Sequence, residues 1–213
     1  MQLFDPGCNK CARLVKGLEH IRKTHPSYHA APVAPFGAMK AKLLIVGLAP
    51  GMHGANRTGR PFTGDHAGIM LYETLYKFGF ANQIGGDNPN DGLRLMGCRI
   101  TNAVKCLPPA NKPLPAEIKT CNGYLTNEIS KLRPKAILAL GRIAHNAISM
   151  SIGERPSRFA FGHGARHEIF FGGHGFVMFD SFHCSRYNTQ TRRLTQTMFE
   201  KIFFDIKEYL DAQ

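Results

Sequence analysis

Four of the six cysteines have a spacing that suits a bound metal or cluster. Cys8 and Cys11 form a Cys-x2-Cys pair, and after 94 intervening residues Cys106 and Cys121 form a wider Cys-x14-Cys pair. Four thiolates can bind zinc or an iron–sulfur cluster. Because zinc ribbons commonly use two close pairs, the wide second pair favours an iron–sulfur cluster without excluding zinc. The two remaining cysteines are expected to be small buried hydrophobic residues: Cys98 and Cys184.

A glycine-rich loop at residues 47–65 reads GLAPGMHGANRTGRPFTGD. Its glycines allow the backbone to approach a ligand closely, and exposed N–H groups in such a loop can hold an anion. The loop matches neither the Walker A pattern nor GxGxxG, and on composition alone it can equally be a long turn. Its last residue, Asp65, is a candidate N-cap of the helix that follows.

A second polar segment, FHCSRYNT at residues 182–189, follows an apolar stretch near the carboxyl terminus. An imidazole at His183 can donate a hydrogen bond to a developing oxyanion or to a base carbonyl. The chain has 10 histidines, and a lone histidine is more often structural. Taken alone, His183 can therefore be either a functional or a structural histidine.

The charge balance points to an anionic partner. Lys and Arg total 27 against 15 Asp and Glu, so the formal net charge is +12. On a folded domain this excess favours nucleic acid as the partner, although many basic proteins have no specific one.

The composition excludes disordered, collagen-like and membrane classes. Hydrophobic residues make up 43% and charged residues 20%, which is typical of a globular domain. No segment approaches the roughly 18 apolar residues of a membrane span, and MQLFDPGCNK lacks the apolar core of a signal peptide. We therefore expect a cytoplasmic protein that is not secreted and does not bind membranes, with its cysteines kept reduced.

Strands alternate with helices along the 213 residues, which suit a single domain. Apolar runs predict strands at residues 42–48, 98–104, 135–140 and 176–182. Amphipathic spacing predicts helices at residues 11–23, after Asp65, and at 115–132, 141–152 and 191–210. This order indicates βαβ units and a mainly parallel sheet covered on both faces. Ligands of such sheets bind at the carboxyl ends of the strands, where the two polar segments lie.

Several segments together resemble the type B, family 5 uracil-DNA glycosylases of the uracil-DNA glycosylase superfamily. They are GLAPGMHGANRTGRPFTGD, TNAVKCLPP, the amino-terminal CxxC and HCSRYNTQTRRLT, and they occur in order from Cys8 to Leu194. The resemblance implies an α/β/α sandwich around a four-stranded, mainly parallel sheet, in one domain over residues 1–213. It also implies a monofunctional glycosylase that flips uracil out of double-stranded DNA and removes it by hydrolysis of the N-glycosidic bond. The product is an abasic site for base excision repair. Other deaminated or damaged bases are further candidate substrates.

The resemblance assigns a structural 4Fe–4S cluster to Cys8, Cys11, Cys106 and Cys121, with no metal in the chemistry. The cluster would tie the amino-terminal helix to the body of the protein.

The resemblance also assigns the base pocket. Phe62 would stack on the uracil, Asn102 would read its edge, and His183 would lie near uracil O2. Gly47 and Ala49 would line the same pocket. The residues expected to contact DNA are Arg57, Arg60, Ser185, Arg186 and Tyr187, with Arg192 and Arg193 as further phosphate contacts.

Two positions depart from the wider superfamily. Leu48 stands where many members have Asp, Asn or Glu, and Asp65 is the expected substitute, with helix capping as its alternative role. Cys184 replaces the proline of a His-Pro-Ser motif, so the segment is expected to be less rigid.

These departures motivate a second hypothesis, a catalytically weak module that binds lesions in DNA. A third hypothesis, an iron–sulfur redox or sensing protein, leaves the glycine-rich loop unexplained. For the glycosylase we expect a monomer acting on double-stranded DNA.

Overall fold

The computed structural model describes residues 2–213 and contains a five-stranded sheet in the order β2-β1-β3-β5-β4. The parallel strands are β1 (Leu43–Gly47), β2 (Cys98–Asn102), β3 (Ala136–Leu140) and β5 (His174–Ser181). The fifth strand, β4 (Arg166–Phe171), pairs antiparallel with β5. The prediction of a mainly parallel α/β sheet is confirmed, with five strands in place of four.

The additional strand β4 lies at the edge of the sheet, which is why its sequence does not resemble a buried strand. Ile169 is its only buried residue among the described positions, and Phe170 is 78% exposed. Gly172 and Gly173 both have positive φ and make the two-residue turn into β5. That glycine pair was the available signal for the hairpin.

Two layers of helix cover the sheet because successive strand residues point to opposite faces. Leu43 and Ile45 of β1 face the layer that contains α3 and α7, whereas Leu44 and Val46 face the layer that contains α4 and α5. The helices are α1 (Ala12–Thr24), α2 (Ala55–Thr58), α3 (His66–Lys77), α4 (Pro115–Leu132), α5 (Arg142–Ser151), α6 (Arg186–Gln190) and α7 (Gln196–Asp211). None of the helices in the described chain has the length and apolar character needed to cross a membrane.

The predicted and observed helices differ most at the carboxyl terminus. Helix α4 begins and ends at the predicted residues, but α7 begins at Gln196 rather than at Thr191. Arg192 adopts a left-handed backbone with φ of 57°, which interrupts the helical path. Thr195 then caps α7 by accepting a hydrogen bond from the Met198 N–H.

A buried ion network joins β2 to α4. Arg99 Nε lies 2.6 Å from Glu128 Oε1, and Lys105 Nζ lies 3.6 Å from Glu128 Oε2. The Glu128 side chain has no exposed surface. Lys105 also donates to the Thr101 hydroxyl and, at 2.9 Å, to the backbone carbonyl of Asn102. The network therefore fixes the carboxyl end of β2.

We expect Glu128→Gln to lower the free energy of unfolding by about 3–5 kcal/mol, because it leaves Arg99 and Lys105 buried without a counter-charge. Glu154→Gln is the matched control. It removes an exposed ion pair with Arg158, which is worth about 0.5 kcal/mol or less. Denaturant titration measures the free energy of unfolding of both variants. Equally small decreases in the two variants would contradict a structural role for the network.

Candidate active site

One cleft of about 850 Å³ opens at the carboxyl ends of the parallel strands. The sequence-predicted site residues that line it come from three segments, the glycine-rich loop, the end of β2 and the segment after β5: Ala49, Phe62, Asp65, Asn102, His183, Ser185, Arg186 and Arg193. Leu48 lines it as well. The topology therefore brings together residues that are up to 145 positions apart in the chain, from Leu48 to Arg193.

The end of β1 is tightly packed against two predicted pocket residues. Gly47 lies opposite Asn102 in the parallel register. A Cβ atom on Gly47 would lie 2.4 Å from Asn102 Oδ1 and 2.8 Å from Phe62 Cζ. Only glycine therefore allows the amide and the ring to approach the strand end together. The predicted pocket residues Gly47, Phe62 and Asn102 are in direct proximity.

Phe62 and His183 present near-parallel rings. Their centroids are 6.0 Å apart and their planes differ by 25°. Phe62 has a positive φ of 57°, a conformation that bulky residues rarely adopt. Strained backbone of this kind concentrates at ligand sites, where surrounding structure holds it in place. The two rings form a flat wall suited to a planar ligand.

Asp65 does not cap the helix that it precedes. Its side chain makes no cap hydrogen bond to α3 and instead accepts the Ala55 N–H through Oδ2 at 3.3 Å. A Cβ atom on Gly54 would lie only 1.9 Å from Asp65 Cγ, so the glycine-rich loop folds directly around the carboxyl group. The α3-cap alternative is therefore wrong, and the carboxyl group lies on the cleft.

Burial raises the pKa of the Asp65 carboxyl group above its ordinary value. The Ala55 N–H and the positive charge of Arg57 lower this pKa and so oppose the effect of burial. The carboxyl group is thus a partly desolvated base or charge-stabilising group next to a cation.

Burial also lowers the pKa of His183 to about 4, so its ring is neutral at physiological pH. A neutral imidazole has one N–H to donate. It can therefore stabilise negative charge by a hydrogen bond without carrying a positive charge itself.

The segment around His183 is held by its own hydrogen bonds. The Asn188 side chain donates to the His183 carbonyl at 2.8 Å, and Ser185 caps α6 by accepting the Asn188 N–H. Cys184 is fully buried in the core, where burial raises the pKa of its thiol to about 12. The expectation for Cys184 as a small buried hydrophobic residue is met, as it is for the fully buried Cys98.

The arginines predicted to bind DNA occupy different environments. Arg57 and Arg186 are exposed, and Arg193 lies over the Phe182 ring at 4.5 Å on the cleft wall. Arg192 is exposed outside the cleft lining, and Tyr187 is 70% exposed.

Arg60 has a structural role instead. It is only 6% exposed, and its guanidinium bonds both oxygens of Asp91, at 2.8 and 2.7 Å. It also donates to the Thr63 hydroxyl at 2.6 Å. A guanidinium with these partners is not available to a phosphate, so Arg60 is removed from the candidate DNA contacts.

Arg142 and Phe161 are two of the cleft residues that sequence reasoning missed. Arg142 begins α5, directly after β3, and lies over the Phe161 ring at 5.3 Å. The position of Arg142 at a strand's carboxyl end was the signal that could have revealed it. Phe161 lies in an irregular segment whose sequence carries no comparable signal.

The four predicted ligand cysteines line a second cavity, apart from the cleft. Cys8 and Cys11 lie at the start of α1, Cys106 follows β2, and Cys121 lies in α4. All four are free thiols, packed with the side chains of Leu14, Val104 and Tyr124.

This donor set fits a cluster. Burial raises the pKa of Cys106 to about 12, so its thiolate form needs the positive charge of a bound metal. Within residues 2–213, no three of these sulfurs lie within 4.8 Å of one another. A single zinc ion with bonds of about 2.3 Å requires sulfurs about 3.8 Å apart. The wider spacing favours a larger group over zinc.

Comparisons with known proteins agree on one family. A model of the uracil DNA glycosylase superfamily matches residues 34–207. A type-5 uracil-DNA glycosylase of Thermus thermophilus is 43% identical over 206 residues, covering 94% of this chain and 92% of its own length. Another, of Pyrobaculum aerophilum, is 36% identical over 192 residues, with coverage of 88% and 82%. A type-4 uracil-DNA glycosylase of Archaeoglobus fulgidus is 35% identical over 138 residues, with coverage of 64% and 56%.

The neutrality of His183 can be measured directly. We expect its ring ¹⁵N shifts to stay constant from pH 8 down to pH 5 and to change with a midpoint at pH of about 4, because the buried ring resists charging. His183→Gln assigns the signal. A midpoint near the ordinary histidine value of about 6.5 would show that the ring is solvated and would contradict this account.

Proposed function

Because this chain belongs to the uracil-DNA glycosylase superfamily, we propose that it hydrolyses the N-glycosidic bond of uracil in DNA and leaves an abasic site for base excision repair. One observation supports the proposed chemistry. Phe62, Asn102 and His183 come from separate segments and line one cleft at the carboxyl ends of the strands. Other deaminated or damaged bases are further candidate substrates.

We propose that the cleft receives a base rotated out of the duplex, because a glycosidic bond inside a base stack cannot be reached. The Phe62 ring offers its face to the pyrimidine. The Asn102 amide both donates and accepts, so it can pair with O4 and N3–H of uracil. The missing side chain at Gly47 lets Asn102 and Phe62 approach the end of β1 together, and Ala49 lines the cleft beside them.

His183 would stabilise the departing base. As the bond to the sugar breaks, negative charge develops on the uracil, including at O2. A neutral ring N–H donates to that oxygen without a prior proton transfer, and such preorganised donors stabilise developing charge strongly. The low pKa of His183 supports this role.

Asp65 would act on the sugar side of the bond. Its carboxylate can orient the attacking water and stabilise positive charge on the sugar. Leu48 lines the same cleft and offers no such group. The place of Asp65 in the cleft lining, without a side-chain capping bond to α3, supports the catalytic alternative.

Water is the proposed nucleophile of a monofunctional enzyme. In the described chain no lysine lines the cleft. Lys105, three residues from Asn102, is buried with its Nζ bound to the Thr101 hydroxyl and the Asn102 carbonyl. A Schiff-base mechanism needs a free lysine amine, which this arrangement does not offer.

Double-stranded DNA would lie across the mouth of the cleft. Arg57, Arg142, Arg186 and Arg193 supply positive charge for phosphates, and the exposed ring of Tyr187 can fill the gap in the stack. Ser185 lies in the same wall, where it caps α6. We propose that the protein acts on such DNA as a monomer in the cytoplasm.

We propose that the four-cysteine cavity holds a structural 4Fe–4S cluster on Cys8, Cys11, Cys106 and Cys121. When bound, such a cluster supplies cross-links between segments that are distant in sequence. Here it would join the start of α1 to α4 and to the segment after β2. No metal takes part in the proposed chemistry.

The two other hypotheses explain less. The relatives' names as glycosylases do not favour a lesion-binding module without turnover. The hypothesis of an iron–sulfur redox protein does not explain why Phe62, Asn102 and His183 line one cleft.

The first test is base release from a duplex oligonucleotide with one uracil opposite guanine. We expect strand breakage only after alkali treatment, and none for a thymine control. Tight binding without breakage would favour the lesion-binding module, and breakage without alkali would indicate a lyase.

Asp65→Asn should cut the single-turnover rate of uracil release at least tenfold while duplex binding is retained, because the amide cannot replace the carboxylate charge. The control is Asp87→Asn, an exposed residue outside the cleft lining. A rate close to that of the unaltered protein would remove Asp65 from the catalytic residues.

Cys106→Ser should lose iron and the visible absorbance of the cluster, whereas Cys98→Ala should keep both, since Cys98 lies in the core away from the four-cysteine cavity. Iron analysis and absorbance of protein purified without oxygen measure this. Colourless, zinc-loaded unaltered protein is the result that would overturn the cluster assignment.

A further inference from the structure

Three potential metal ligands converge outside the cleft lining, and the proposed reaction uses none of them. They are His145 of α5, His167 of β4 and Asp180 of β5. His145 Nδ1 lies 2.8 Å from Asp180 Oδ1, and His167 Nε2 lies 3.1 Å from Asp180 Oδ2. The side chains of His145 and Asp180 have no exposed surface, and that of His167 is 14% exposed.

The hydrogen bonds of His145 leave one position that a cation can take. Its Nδ1 faces a carboxylate oxygen, and its Nε2 lies 3.1 Å from the carbonyl oxygen of Phe159. Both partners only accept hydrogen bonds, whereas a neutral imidazole carries a single N–H. With a neutral ring, one of the two contacts therefore lacks a proton on His145. A metal ion at Nδ1 satisfies the same contacts with a neutral ring.

The surroundings of His145 also match those of a metal ligand. Histidine ligands commonly donate their other ring N–H to a backbone carbonyl or a carboxylate, which fixes the tautomer and the orientation of the ring. The Phe159 carbonyl has this relation to His145. The ring is further held edge-on against Phe161, with centroids 5.6 Å apart.

We propose that His145, His167 and Asp180 bind a divalent cation, with Zn²⁺ as the preferred ion. Two imidazoles and one carboxylate are ligands that zinc accepts, with water in a fourth position on the partly exposed side of His167. Zinc bonds of about 2.0–2.2 Å need ligand atoms about 3.3 Å apart. The two histidine nitrogens lie 2.8 and 3.1 Å from the two oxygens of Asp180, and one ligand atom of each residue lies within 4.8 Å of the others.

A cation at this site would brace one wall of the cleft. It would join α5, β4 and β5, and through His145 it would hold the segment that begins at Phe159. Phe161 in that segment lines the cleft. The site shares no residue with the four-cysteine cavity and is proposed as structural, so it does not depend on the proposed glycosylase reaction.

The test measures Zn²⁺ binding to the cluster-loaded protein by competition with a chromophoric chelator after removal of adventitious metal. We expect one zinc per chain and a rise in Tm. His167→Gln should weaken zinc binding at least tenfold and abolish the rise in Tm.

His174→Gln is the matched control. His174 lies at the other end of the same hairpin and bonds the Pro134 carbonyl at 2.6 Å. It should bind zinc as the unaltered protein does. Equal zinc affinity in the unaltered protein and His167→Gln, or no binding in either, would show that protons alone hold the three side chains together.

A second measurement covers the case in which His167→Gln fails to fold. Zinc-edge X-ray absorption of the unaltered protein with one equivalent of Zn²⁺ should show nitrogen and oxygen ligands, including imidazole. Sulfur ligands would assign the zinc to the cysteines and overturn the proposal.

Discussion

In the parallel pairing of β1 with β2, Gly47 lies opposite Asn102, and the cleft is organised around that contact. The missing side chain at Gly47 leaves the space that Asn102 Oδ1 and the Phe62 ring occupy. A shift of register by one residue would turn the Asn102 side chain to the other face of the sheet. The hydrogen bond from Lys105 to the Asn102 carbonyl and the buried Arg99–Glu128 pair hold the strand end in this register. The proposed contact of Asn102 with a base would therefore depend on packing and charge several residues away from Asn102.

Two groups in the cleft respond to burial in ways that suit one reaction. Desolvation disfavours the charged form of each, so it keeps His183 neutral and raises the pKa of Asp65. The histidine then serves as a neutral donor, which needs no countercharge. The charge of Arg57 and the Ala55 N–H oppose the effect of burial on Asp65. Desolvation thus keeps the His183 ring neutral, whereas the ionised form of Asp65 depends on Arg57 and the Ala55 N–H acting against desolvation.

The departures at Leu48 and Cys184 are compensated within the structure. Leu48 lines the cleft without an acid, while the glycine-rich loop brings Asp65 to the same cleft from 17 residues further along the chain. Cys184 packs in the core, and the hydrogen bonds of Asn188 and Ser185 fix the backbone that a proline would otherwise stiffen. Neither departure therefore requires loss of the site.

The sequence by itself determined the parallel α/β class, the limits of α4 and the family. Hydrophobic periodicity and the motifs that contain Phe62, Asp65, Asn102 and His183 involve residues close together in the chain, so they can be recognised without the structure. It did not reveal β4, since an edge strand buries little and carries a weak pattern. Only the tertiary structure decided that Arg60 pairs with Asp91 while Arg142 faces the cleft, and that the Asp65 side chain turns away from its own helix. Each of these outcomes depends on which distant group a side chain meets, and that is set by how the layers pack rather than by the residue's neighbours in the chain.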